Sequence, residues 1–144
     1  MIVVDTNVIS EAMRRDPHPV VRQWLNAQVP STLYVSAVTV AELLLGVELL
    51  DDGGRKDALR AAVTEALALF DGRVLDFDAH AAATFAGLMA SARSQGQAVS
   101  AADGQIAATA ISRGYEVATR DTRPFLVVGA RVIDPWQAGS PRRA

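Results

Sequence analysis

The sequence has no cysteine among its 144 residues. That excludes disulfides, thiolate metal sites and a cysteine nucleophile. Aromatic residues make up only 6% of the chain while alanine is abundant, which favours closely packed helices over a β-sandwich. No apolar run approaches the roughly 18 residues that a membrane span requires. The amino terminus enters the apolar run Ile2-Val3-Val4 without a basic segment followed by a longer apolar stretch. No secretory signal is therefore expected, and the expected location is the cytoplasm. Neither a P-loop nor a glycine-rich dinucleotide signature is present. The two histidines, His18 and His80, have no nucleophile in a recognisable triad setting and read as surface or cap residues.

Charge of one sign is also lacking. The formal net charge is −2, which decides nothing about nucleic acid, because local charge matters more than the total. Arginine outnumbers lysine thirteen to one. Its planar fork suits phosphate, although codon bias produces the same ratio. Arg14, Arg15 and Arg22 form one group, Arg55, Lys56 and Arg60 a second, and Arg120 and Arg123 flank Asp121.

Half of the residues are hydrophobic, enough for one domain with a sizeable core, expected over residues 1–138 with a short tail at 139–144. Strands are expected near 2–4, 32–35, 74–75 and 117–119, with an edge strand supplied by Val127 or Val132-Ile133. Helical patterns are expected over about 7–14, with Asn7 as a possible cap, then up to Asn26, over 38–50, 55–70, 79–94 and 101–112. In the fourth of these, Leu59, Ala62, Val63, Ala66 and Leu69 have helical spacing, and in the fifth Phe85, Leu88 and Met89 point inward. Short apolar strands alternating with helices predict an α/β fold with a parallel sheet.

Four acids stand at the ends of these elements. Asp5 follows the first strand directly, Glu42 and Asp103 are read into first helical turns, and Asp121 follows the run Tyr115–Thr119. Ligands of parallel sheets bind beyond the carboxyl ends of the strands. Four carboxylates gathered there would repel one another and raise each other's pKa. A hard divalent cation removes that penalty, and phosphodiester hydrolysis is the chemistry that suits such a site. Thr6 and Asn7 are placed to bond Asp5 or support the metal shell, and Ser10 lies one turn further along. Each residue also has an ordinary reading. Thr39-x-x-Glu42 and Ser100-x-x-Asp103 match helix capping boxes, Asp5-Thr6-Asn7 can open a helix, and Asp121-Thr122-Arg123-Pro124 can be a turn. Ser10 can face solvent, and Glu11 can either face solvent or flank the pocket and contact substrate. Gly46, four residues after Glu42, leaves room at the site or, more simply, packs closely.

The ordered blocks Met1–Glu11, Ser36–Leu43, Ala101–Ala110, Ala118–Phe125 and Val132–Trp136 resemble the PIN-domain ribonucleases, and among them the VapC-like toxins of type II toxin–antitoxin pairs. The blocks span nearly the whole chain. The resemblance implies a three-layer α/β/α sandwich with a mostly parallel sheet of about five strands. It implies a Mg²⁺- or Mn²⁺-dependent endoribonuclease that leaves 5′-phosphate and 3′-hydroxyl ends without a covalent enzyme intermediate. Asp5, Glu42, Asp103 and Asp121 match the family's acidic quartet. Asp5 and Asp103 are the surest ligands in that pattern, and Glu42 ligates directly or through water. Asp121 holds a metal-associated water or helps a second cation. Thr6 supports the shell, and Asn7 and Ser10 line the cleft near substrate phosphate.

The resemblance further implies a VapB-like antitoxin whose C-terminal segment covers the site, with Arg14, Arg15 and Trp24 as candidate contacts, although a tryptophan at the Trp24 position is more often a core residue. It also implies homodimers, and pairs of dimers bridged by antitoxin, with no membrane association. Two positions depart from the pattern. Pro124 stands where relatives often carry an acid before Phe125, which predicts an altered turn, and Ser100 replaces a common proline. A receiver domain would want an acidic pair and a late lysine, and a haloacid-dehalogenase-like phosphatase would want an aspartate where Asn7 stands. A PIN-like binding protein without catalysis and a DNA-directed nuclease are the alternatives within reach of the same motifs.

Overall fold

The apolar run Ile2–Val4 forms β1 and lies at the centre of the sheet. The computed structural model describes residues 1–139. The four other strands are β2 (Leu33–Ser36), β3 (Val74–Leu75), β4 (Glu116–Ala118) and β5 (Val132–Ile133). All neighbouring pairs are parallel, in the order β3-β2-β1-β4-β5. Alternate residues of a strand face opposite sides, and both sides are covered. Ile2, Val4, Leu33, Val35 and Ala118 pack with α1 (Thr6–Ala12), α2 (Pro19–Asn26), α3 (Ala37–Glu48) and α4 (Gly54–Ala68). Val3 and Val117 pack on the other side with α5 (Ala79–Ser94), α6 (Ala101–Ile111) and α7 (Thr122–Val127). This is the expected three-layer α/β/α sandwich, and the sheet is wholly parallel.

The helix ends correct several expectations. Asp5, not Asn7, caps α1, because its carboxylate accepts the Thr6 N–H at 2.8 Å. Ser36, not Thr39, caps α3, so Thr39 is the third helical residue and Glu42 lies in the second turn rather than the first. The stretch after Asp121 is not a simple turn. It opens α7, and Pro124 occupies the third helical position, where a missing N–H leaves no helical bond unmade. Val127 ends α7, so the edge strand is Val132–Ile133. Leu69 lies beyond the end of α4 and is 72% exposed, while Leu67 and Phe70 pack on the core. The tail, expected from residue 139, falls almost wholly outside the described residues.

Gly46 is exposed, with nothing within 4 Å of where a Cβ would sit, so it is not a packing glycine. The close approach is at Gly104, between α5 and α6. A Cβ there would meet Met89 Sδ at 2.5 Å and Phe85 Cε2 at 3.0 Å. Gly104 thus lets α6, which carries Asp103 one residue earlier, lie tightly against α5.

Candidate active site

The strand order reverses direction around β1, and the crevice beyond the carboxyl ends of β1 and β4 is the place where such folds bind ligands. Asp5 leaves β1 there. Its N–H still bonds to Ala118 O at 2.9 Å, extending the ladder by one residue. One carboxylate oxygen caps α1, and the other accepts the Thr119 hydroxyl at 2.8 Å. Asp5 is therefore held from two strands and one helix, at 5% exposure.

Thr119 was not singled out from the sequence. It is fully buried, and its hydroxyl is the hub of the site. Besides donating to Asp5, it accepts from Asn7 Nδ2 at 3.1 Å and from the Asp121 N–H at 3.2 Å. Its only mark in the sequence is its place at the end of a strand, two residues before Asp121. Thr39 and Ser36 were likewise not assigned a role in the site. Thr6 Oγ1 donates to Glu42 Oε1 at 2.8 Å and lies 3.3 Å from Thr39 Oγ1, which in turn lies 3.2 Å from Ser36 Oγ. These hydroxyls link the first turn of α1 to α3 and orient the exposed Glu42 carboxylate.

Asp103 is the third residue of α6, where Ser100 Oγ accepts its N–H at 3.1 Å. A single cleft of about 630 Å³ is lined by Asp5, Thr6, Asn7, Ser10, Glu42, Asp103 and Asp121. All seven residues expected from the sequence therefore border one space. Glu11, Arg14, Arg120 and Trp136 complete its lining. Glu11 does not face solvent freely. It accepts the His18 N–H at 2.8 Å and pairs with Arg14 at 3.3 Å, and these contacts, led by the His18 bond, hold its pKa below the usual value. His18 caps α2 through its side chain, and Trp24 packs against the core.

Burial pushes the Asp5 carboxyl up to about 6. The Thr119 and Thr6 hydrogen bonds oppose that rise, and the charges of Asp103 and Glu42 add to it. Asp103 is also raised, first by burial and then by Asp121, against the Ser100 hydroxyl. Electrostatic strain of this kind at the mouth of a cleft is characteristic of functional sites. Among the described residues, no three acidic or histidine side chains are closed to metal-ligating distance. The acids ring the cleft rather than meeting at a point. The donor set nevertheless fits a hard cation: it is all oxygen, and it holds a carboxyl whose charge the protein alone supports poorly. Glu42 and Asp121 are exposed, so their carboxylates are open to the cleft.

The arginine groups separate on inspection. Lys56 and Arg60 are paired with Glu48, Asp52 and Asp57 on α3, α4 and their connection. Arg14 and Arg120, in contrast, border the acids.

The family model of the PIN domain matches residues 2–130, and the chain belongs to that family. Its similarity runs to VapC-type members. It is 48% identical over 139 residues to the plasmid stability protein StbB of Pseudomonas syringae pv. tomato, covering 96% of this chain and all of that one. It is 46% identical over 138 residues to the VapC ribonuclease Y4jK of Sinorhizobium fredii, covering 95% and 99%. The crystal structure of FitAcB from Neisseria gonorrhoeae superposes with a TM-score of 0.88 at 45% identity, covering 94% of this chain and 99% of that one. A further neighbour, VapBC-5 from Mycobacterium tuberculosis, belongs to the VapBC family of toxin–antitoxin systems (TM-score 0.66, 30% identity, 91% and 94% covered).

Proposed function

We propose that this chain is a metal-dependent endoribonuclease toxin, held in check by a VapB-like antitoxin. The observation that carries the reading is the convergence of Asp5, Glu42, Asp103 and Asp121 on one cleft at the β1/β4 crevice. The ribonuclease name of a 46% identical relative supports the same chemistry. Asp5 and Asp103 would hold Mg²⁺ or Mn²⁺, with Glu42 completing the set and Asp121 assisting from the α7 side. A cation held by these residues would supply Lewis acidity toward phosphate and water, the chemistry of hydrolysis to 5′-phosphate and 3′-hydroxyl ends.

The chain's own residues do the positioning. Thr119 fixes one Asp5 oxygen and ties Asn7 and the Asp121 backbone to the same point. Thr6 fixes Glu42. Asn7 also accepts the Arg120 N–H at 3.2 Å, which orders the loop on the phosphate side of the cleft, and Ser10 lines the entrance. Residues 1–138 act as one PIN domain in this reading, with the cytoplasm as the place of action.

An antitoxin would also have an apolar surface to cover, distinct in its lining from the acidic cleft. An apolar cavity of about 340 Å³, lined by residues including Val8, Ile9, Leu25 and Phe70, lies among α1, α2 and α4. The exposed Leu44, Leu45 and Leu49 on and just beyond α3 suit a homodimer, or a dimer of toxin–antitoxin pairs. A purely binding role is the second reading, favoured by the open spacing of the acids.

The deciding experiment is cleavage of a mixed cellular RNA pool by antitoxin-free protein, with Mg²⁺ or Mn²⁺, against EDTA and Asp5→Asn controls. Metal-dependent cuts that vanish in both controls support the nuclease. Intact RNA from folded, partner-free protein supports the binding role.

A further inference from the structure

The acidic cleft presents a physical problem for any RNA substrate, because phosphates must approach four carboxylates. The lining offers two cations, and they are not equivalent. Arg14 is already paired with Glu11 at 3.3 Å. Arg120 has no carboxylate within 4.0 Å among the described residues, and its guanidinium instead lies over the indole of Trp136, 5.2 Å from the ring centroid. Both partners are anchored. The Arg120 backbone N–H is bonded to Asn7. Trp136 sits in a 3-10 turn whose Asp134 side chain accepts the Trp136 N–H at 2.9 Å, whose Pro135 is buried, and which packs on α2. The indole therefore packs against the core while also bordering the cleft. A packed aromatic shelf beneath an exposed cation that has no carboxylate partner among the described residues matches what single-stranded nucleic acids need: a stacking surface for a base and a charge for its phosphate.

We propose that Trp136 and Arg120 form the base-stacking subsite of the cleft. A nucleobase flanking the scissile bond takes the place of the guanidinium on the Trp136 ring, and Arg120 turns to the adjacent phosphate. This inference rests on the ribonuclease reading and deepens it, by naming the residues that select an unpaired base next to the cut. An RNA duplex, whose bases stack on each other, does not fill the shelf.

The test reads binding apart from turnover. In an Asp5→Asn, Trp24→Phe background, which leaves Trp136 as the sole tryptophan, fluorescence is titrated with a mixed-sequence 12-nucleotide single-stranded RNA and with a matched oligonucleotide carrying abasic sites. Anisotropy of end-labelled RNA is followed in parallel. The expected result is saturable quenching by the RNA and not by the abasic oligonucleotide. Affinity should fall about tenfold or more for Trp136→Leu and stay near the parent value for Trp136→Phe. Arg120→Gln should flatten the salt dependence of binding by about one counterion. RNA that binds by anisotropy without a Trp136 response, or that binds Trp136→Leu as well as the parent, overturns the subsite alone. Absence of any anisotropy change overturns the subsite, and the wild-type cleavage assay then decides whether the ribonuclease reading falls with it.

Discussion

Replacing Asp5 by Asn should abolish activity and yet stabilise the metal-free protein at neutral pH. The reason is the buried carboxylate. Burial, with Asp103 and Glu42 nearby, raises its pKa from an ordinary 3.8 to about 6. Each tenfold change in proton affinity corresponds to about 1.4 kcal/mol, so holding Asp5 ionised at pH 7.5 costs the fold about 3 kcal/mol. The sign follows from the raised value. The native state binds the proton more tightly than the unfolded chain, so the protein gains this stability below pH 3.8 and loses it as pH rises through about 6. Asparagine carries no charge and escapes the loss. It keeps an oxygen for the Thr6 N–H but presents an amide to the Thr119 hydroxyl, which already accepts from Asn7 and Asp121. That mismatch costs about 1 kcal/mol, leaving a net gain of about 2. With a urea slope of about 2 kcal/mol/M, the midpoint in EDTA at pH 7.5 should move up by about 1 M, and the gain should vanish near pH 4. A variant that unfolds at equal or lower urea at pH 7.5, or whose difference from wild type does not depend on pH, would refute the assignment of a strained, buried charge at Asp5.

Other consequences are directly measurable. Thr119→Val keeps the shape but removes the hydroxyl that serves Asp5, Asn7 and the Asp121 N–H; urea unfolding should record a loss of about 2–3 kcal/mol and RNA cleavage should fall sharply. Saturating Mn²⁺ at pH 7.5 should raise the melting temperature of the wild type, with about 2.7 kcal/mol expected at a hundred times Kd, and an Asp5→Asn, Asp103→Asn double variant should not respond. Gly104→Val drives a side chain into Met89 and Phe85, and calorimetry should find a loss of about 1–3 kcal/mol. Glu11, whose pKa is lowered chiefly by the His18 N–H, contributes stability above its ordinary value of 4.5 that is lost as pH falls; Glu11→Gln should melt earlier at pH 7, with the gap closing in acid.

Local pattern was enough to place most elements. Short, continuously apolar strands separated by helical periodicity point to a parallel α/β arrangement because each strand needs both faces covered, and Ile2 and Val4 on one face with Val3 on the other carry this out. The acids at strand and helix ends were legible for the same reason, since a parallel sheet collects such ends along one edge. Misreadings arose where several local solutions are nearly equal in energy. Ser36 and Thr39 are both capable caps, and only the path out of β2 selects Ser36. Pro124 reads as a turn breaker, yet burial of Phe125 draws the segment into α7. By itself, then, the sequence determined the parallel α/β class and the list of acids, through residue-by-residue periodicity and element ends, while the three-layer sandwich followed from the family resemblance. Only the tertiary structure decided that Thr119, 114 residues from Asp5, would be its hydrogen-bond partner, that Arg120 would lie on Trp136, and that Asp5 would be buried enough to resist ionisation. Those outcomes depend on strand order and on burial, which are properties of chain segments meeting in space and leave no periodic mark along the chain.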